Sequence, residues 1–293
     1  MLSARAWTQS IIAAGSGRSK SVQTRDLARA ISNSSNASRR SIRKLLLPLL
    51  KMASCSEVLV ADSVGCWRSG GELFFLPRFI FQRTLTAKPR IEVGIFGGID
   101  GNDLGGIRGI TEFLCALNAH PAIGREYRLW LYPLCDPLGY VNHARAIGSN
   151  LYPGTEIWKD SDEPVAQLIE KELCERRFDG VISLRGNSQA TQLQAGVSGQ
   201  DLDFGTSALI AAQEALRVNQ RADFAGFSVR KLDPQESIHA CSGQSHKRFE
   251  IALEVPGRFP PSLQGEFFLV SLHAILAAYR RRSSERGSEL LNL

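Results

Sequence analysis

Residues 90–106 read RIEVGIFGGIDGNDLGG. Arg90 to Phe96 is a short apolar run rich in β-branched and aromatic residues, the pattern of a buried strand. It runs into Gly97-Gly98 and a polar group, Asp100-Gly101-Asn102-Asp103, and a second pair, Gly105-Gly106, opens an apolar-periodic helix reaching about Asn118. Open α/β sheets place ligand sites where a strand stops at a glycine-rich turn and presents carboxylates at its carboxyl end. A tight strand-to-helix turn with a capping Asp accounts for the same residues equally well.

Outward from this stretch, strands are expected over 57–64, 71–81, 127–134, 178–184 and 249–255, with Pro77 placing the second at an edge or a bulge. Helices are expected over 38–53, with Pro48 as a kink or boundary, and over 104–118, 163–176, 205–217 and 265–282. Strands alternating with helices argue for an α/β fold, its mostly parallel or mixed sheet covered on both faces.

The 293 residues are enough for a full core, and no apolar run approaches the roughly 18 residues that span a bilayer. The six cysteines, Cys55, Cys66, Cys115, Cys135, Cys174 and Cys241, are scattered without a C-x-x-C pair. That argues for buried thiols in a reducing compartment, not for a disulfide frame. The chain carries +6 overall; residues 1–50 hold nine Lys/Arg and one acid, which gives +8 and leaves −2 for the remainder. A nucleic-acid role would rest on that arm alone, which has one aromatic, Trp7, and the composition argues against it. The arm also fits an organelle transit peptide or an over-extended gene start, so Met1 and Met52 both stand as candidate starts.

Residues 97–106 resemble the first metal-binding motif of the zinc carboxypeptidase superfamily, in its succinylglutamate desuccinylase/aspartoacylase branch, roughly G-G-x-H-G-x-E-x-x-G. The resemblance implies a three-layer carboxypeptidase-like (phosphorylase/hydrolase-like) fold over residues 56–282. It also implies zinc, bound by the His and Glu of the motif, but Asp100 stands at the His position and Asp103 at the Glu position. The third ligand would be a His closing the strand over 178–184, where Leu184 is followed by Arg185. A guanidinium has no lone pair to offer and stays charged, so Arg185 is incompatible with a tetrahedral zinc site.

Further landmarks are similar in part. Pro137-Leu138-Gly139-Tyr140 and Arg145 match a turn and the Arg that, in the family, polarises the scissile carbonyl. An Asn-Arg clamp for the substrate carboxylate is replaced by Asn150 and Tyr152, the residues left at the substrate-binding positions. The loop Tyr of the family has no counterpart over 187–199. Glu254, in Ile251-Ala252-Leu253-Glu254-Val255-Pro256, matches the general base that activates the zinc-bound water. Without the resemblance, Glu254 reads as a sheet-end carboxylate paired with Arg145 or Arg185.

The expected function is therefore a zinc-free, non-catalytic binding or scaffold protein for a small molecule or peptide, with no cofactor and no membrane, and Arg185 paired to Asp100 and Asp103. The alternatives are an amide or ester hydrolase using Glu254 and Arg145, and a protein acting through its basic arm. The expected organisation is a basic disordered extension over 1–36, a helix over 37–55, the α/β domain over 56–283 and a tail over 284–293. The expected location is the cytoplasm, or an organelle if the arm targets it. His239 and His246 flank Cys241 in a polar loop that hints only faintly at a metal site.

Overall fold

The computed structural model describes residues 27, 40–82, 91–143, 163–176, 178–188, 190–198, 202–218, 227–232 and 249–291. The opening stretch forms β3 (Ile91–Phe96) and α2 (Leu104–Ala119). β3 lies parallel between β4 (Tyr127–Tyr132) and β5 (Gly180–Asn187), and β8 (Phe249–Pro256) extends the parallel block beyond β5. All eight residues of β8 are buried, as a strand covered on both faces requires.

Antiparallel strands finish both sides. β2 (Glu72–Gln82) pairs with β4, and β1 (Leu59–Ser69) pairs with β2 through a two-residue turn, Gly70-Gly71, with φ +57° and +83°. Two positive φ values in succession suit a hairpin turn, and glycine adopts them without a Cβ penalty. β6 (Leu193–Ser198) pairs antiparallel with β8, and β7 (Phe227–Lys231) parallel with β6. The mixed eight-stranded order is β1-β2-β4-β3-β5-β8-β6-β7.

Helices cover both faces. α2, α5 (Leu202–Val218) and α6 (Pro261–Leu291) share one core with Val93, Ile95, Leu129, Leu131, Ile182 and Leu253, a core that also takes in α1 (Ile42–Cys55). α4 (Pro164–Glu175) packs Val165, Ala166, Ile169 and Leu173 against Phe96, Trp130, Tyr132 and Val181 on the opposite face. The result is a three-layer α/β architecture. No helix among the described residues is long and apolar enough to cross a membrane.

Pro77 sits beside a register shift between Ser63 and Gly65, outside the segment of β2 that pairs with β4, so its missing N–H interrupts no ladder there. Pro48 is not a boundary: α1 runs on to Cys55 while burying Leu46, Leu49, Leu50 and Ala53. β6, β7 and the short α3 (Pro137–Asn142) are absent from the sequence expectations, and β6 occupies much of what reads as a loop over 187–199. Leu27, in helical conformation, is 2% exposed within the main core, a point where the N-terminal extension meets the domain.

Candidate functional site

The carboxyl ends of β3, β4, β5 and β8 converge on the turn over residues 97–103. Gly97 N–H donates to Tyr132 O (3.0 Å), while Cys135 and Asp136 N–H donate to Gly97 O (3.1 Å) and Gly98 O (2.8 Å). Gly98 has φ +57°, and a Cβ there would lie 2.7 Å from Ile107 Cγ1. The buried Asp136 locks the two turns together: its carboxylate accepts from Gly139 N–H (2.8 Å), capping α3, and from Gly101 N–H (3.3 Å). A Cβ on Gly101 would be 2.0 Å from the Gly139 carbonyl carbon, so only glycine permits this approach. The sequence reading passed over Asp136, although an Asp immediately before a helix-opening Pro carries the signature of an N-cap.

Asp103 is buried and caps α2, accepting from Gly106 N–H (2.9 Å) and from the Gly186 N–H of β5. Burial pushes its carboxyl up to about 6; the two N–H donors oppose that rise, the Asp100 charge adds to it, and the Arg185 charge opposes it. The expected contact pair between Asp103 and Arg185 is not among the ion pairs of the described residues. The α2 backbone takes the Asp103 oxygens, and the guanidinium acts on them only through its charge. Asp100 lies on the turn, half-buried, and accepts from Asn102 N–H (2.9 Å).

Arg185 and Glu254 are register partners on β5 and β8, 6% and 7% exposed. Glu254 takes its contacts from Asn187 Nδ2 (3.0 Å) and Arg230 Nη2 (3.7 Å) instead of from Arg185. Arg230 escaped the sequence reading because β7 did. Gln264, on the first turn of α6, closes the back of the site: its Nε2 donates to Phe259 O (2.7 Å), and a Cβ on Gly186 would be 3.1 Å from both Gln264 Oε1 and Asp103 Oδ1. From the N-terminal side, Arg40 Nη1 donates to Gly101 O (3.1 Å) and Asn102 Oδ1 (3.2 Å), with the guanidinium 5.7 Å over the Tyr140 ring.

Arg145, Asn150 and Tyr152 lie outside the described residues, as do His239, Cys241 and His246. The five described cysteines are free, and three of them, Cys55, Cys115 and Cys174, are exposed instead of buried as expected. Among the described residues no group of three or more His, Cys, Asp or Glu is placed to hold a metal ion. Of the residues at the positions that the resemblance assigns to zinc ligands, Asp103 turns its oxygens to backbone N–H groups and Arg185 has no lone pair to offer a metal.

No family model and no curated protein matches the sequence. Solved structures do match it in shape. A candidate metallopeptidase from Shewanella denitrificans is 16% identical with a TM-score of 0.61, over 82% of this chain and 90% of that one. A metallo-carboxypeptidase from Burkholderia cenocepacia is 15% identical with a TM-score of 0.58, over 82% of this chain and 69% of that one. Bovine thrombin-activatable fibrinolysis inhibitor, solved with a tick carboxypeptidase inhibitor, is 11% identical with a TM-score of 0.56, over 89% and 97%. At these identities the shared property is the fold, and the fold of this chain is carboxypeptidase-like.

Proposed function

We propose that the protein is a zinc-free, non-catalytic binding or scaffold member of the carboxypeptidase-like fold, nearest the succinylglutamate desuccinylase/aspartoacylase branch, acting in the cytoplasm on a small-molecule or peptide ligand. The observation that carries this reading is Arg185, buried at the end of β5 where the resemblance calls for a third zinc ligand. A guanidinium there repels a dication and offers it no electron pair. The branch assignment rests on the residues of the opening turn and on Pro137-Leu138-Gly139-Tyr140.

A hydrolase is the second reading, favoured by one observation: Glu254 is kept at the end of β8 with its carboxylate oriented by Asn187. As a general base it needs an activated water or carbonyl, which this reading assigns to another metal at Asp100 and Asp103 or to Arg145. Mass spectrometry of purified protein, repeated after zinc loading and dialysis, separates the two. Zinc below about a tenth of an equivalent is the expected result. Stoichiometric zinc that disappears on replacing Asp100 and Asp103 with Ala overturns the proposal and puts the hydrolase first.

A further inference from the structure

The turn over residues 97–103 is held from two sides, and the two holds differ in kind. On the inside, the buried Asp136 carboxylate accepts from Gly101 N–H (3.3 Å) and from Gly139 N–H (2.8 Å), which joins the turn to α3. On the outside, Arg40 takes the other half of the same residue. Its Nη1 donates to Gly101 O (3.1 Å) and to Asn102 Oδ1 (3.2 Å), and its guanidinium lies 5.7 Å over the ring of Tyr140, on α3. Asn102 Nδ2 donates to His143 O (3.3 Å), at the end of α3. Gly101 is thus bound inward through its N–H and outward through its carbonyl.

The outer hold comes from a distant part of the chain. Arg40 stands two residues before Ile42, the first buried residue of α1. Leu46, Leu49, Leu50 and Ala53 pin α1 to the core, where it packs on β1 and α3, so α1 sets the place of Arg40. The hydrogen-bond acceptors of Arg40 on the turn are a carbonyl and a side-chain amide, both neutral, and its bond to Asn102 is exposed. Solvent-reachable bonds to neutral groups are among the first to open in a folded protein. The buried Asp136 hold is of the opposite kind.

We infer that Arg40 is a releasable clasp, by which the N-terminal segment holds the turn over residues 97–103 shut against α3. In the clasped state the Asn102 side chain is tied to Arg40 and to His143 O. When Arg40 lets go, Asp136 keeps the Gly101 N–H, and the Gly101 carbonyl and the Asn102 side chain are freed. The turn carries Asp100 and ends at Asp103, so the carboxyl edge of the sheet is coupled to the state of α1. The clasp needs no spare donor on Arg40, because the bonds that it makes are the bonds that it gives up. Nor does it rest on the metal-free reading above.

Hydrogen exchange of the native full chain tests the clasp, followed by NMR at Gly101 and Asn102, with Gly139 as the reference for the inner hold. Arg40→Met should speed exchange at Gly101 and Asn102 by about fivefold and change Gly139 by less than about twofold. Asn102→Ala removes one acceptor of Arg40 and should also speed Gly101. Its factor should be smaller in Arg40→Met than in the wild type, because the two substitutions break a shared bond. Exchange at Gly101 that is unchanged in Arg40→Met overturns the clasp, as do effects of the two substitutions that multiply in full. A rise of the same size at Gly139 overturns it too, since the turn and α3 would then loosen together with no separate outer hold.

Discussion

Two buried carboxylates on opposite faces of this sheet are handled in opposite ways. Glu172, on α4, accepts from Tyr132 Oη (2.8 Å) and Arg176 Nε (3.0 Å) and from Arg78, which also grips Asp62 through Nε (2.8 Å) and Nη2 (2.6 Å). Both arginines also lie over the Trp130 ring, Arg176 4.0 Å and Arg78 5.1 Å from its centroid. Burial alone would raise Glu172, but the charges of Arg78 and Arg176 and the Tyr132 hydrogen bond hold it below the usual carboxylate range. Asp103 has backbone N–H groups where Glu172 has guanidinium groups, and burial prevails, pushing it up to about 6. A carboxylate enclosed by guanidinium groups is structural cement. One kept buried at a helix start without a contacting cation is held by backbone N–H groups alone, and burial sets its protonation.

The comparison breaks first at Glu172. Glu172→Gln leaves Arg78 buried with half its compensation, and unfolding in urea should show a loss of about 3–5 kcal/mol. A loss below about 1 kcal/mol would place the cluster among exposed pairs instead.

Asp103 gives the next largest effect, with the opposite pH sign. Its folded pKa is raised above its unfolded value, so its stabilising contribution is full below about pH 4 and is lost as the pH rises through about 6. Relative to Asp103→Asn, the wild type should gain up to about 3 kcal/mol on going from pH 7 to pH 4. Glu172, with its lowered pKa, is stabilising above the ordinary carboxylate range and loses that contribution as the pH falls through its folded value. Urea midpoints of the two variants against pH should therefore diverge from wild type in opposite directions. Parallel curves would mean that both carboxylates sit in equivalent surroundings.

The sequence made one of these clusters legible and hid the other. Strand and helix periodicity located β3, β4, β5, β8 and the helices around them, because buried parallel strands read as continuous apolar runs. β6 and β7 stayed hidden for the opposite reason: their outward face carries Gln194, Ser228 and Arg230, so LQAGVS and FSVRK lack the apolar density of a core strand. That hidden pair supplies the Arg230 contact to Glu254, a partnership that no spacing within one strand could suggest. The Glu172 cluster was equally invisible, since Arg78 and Glu172 are 94 residues apart and meet only once α4 crosses the sheet. Asp103 could be read as a cap because capping is local. The Gly186 N–H that also holds it belongs to β5 and required the fold.

The smallest expected effect sharpens the contrast between local and long-range control. Arg40 reaches the Asp103 loop from before α1, but its hydrogen bonds go to Gly101 O and Asn102 Oδ1, not to the Asp103 carboxylate. Arg40→Met removes a partly exposed cation–π contact and those two bonds, and should cost about 1 kcal/mol. If the Asp103 pKa is set by burial and by its own backbone donors, the pH dependence of stability between pH 4 and 6 should be the same in Arg40→Met as in wild type. A changed slope would mean that the N-terminal segment tunes Asp103 at a distance, and the carboxylate would then resemble Glu172 in depending on a cation from elsewhere in the chain.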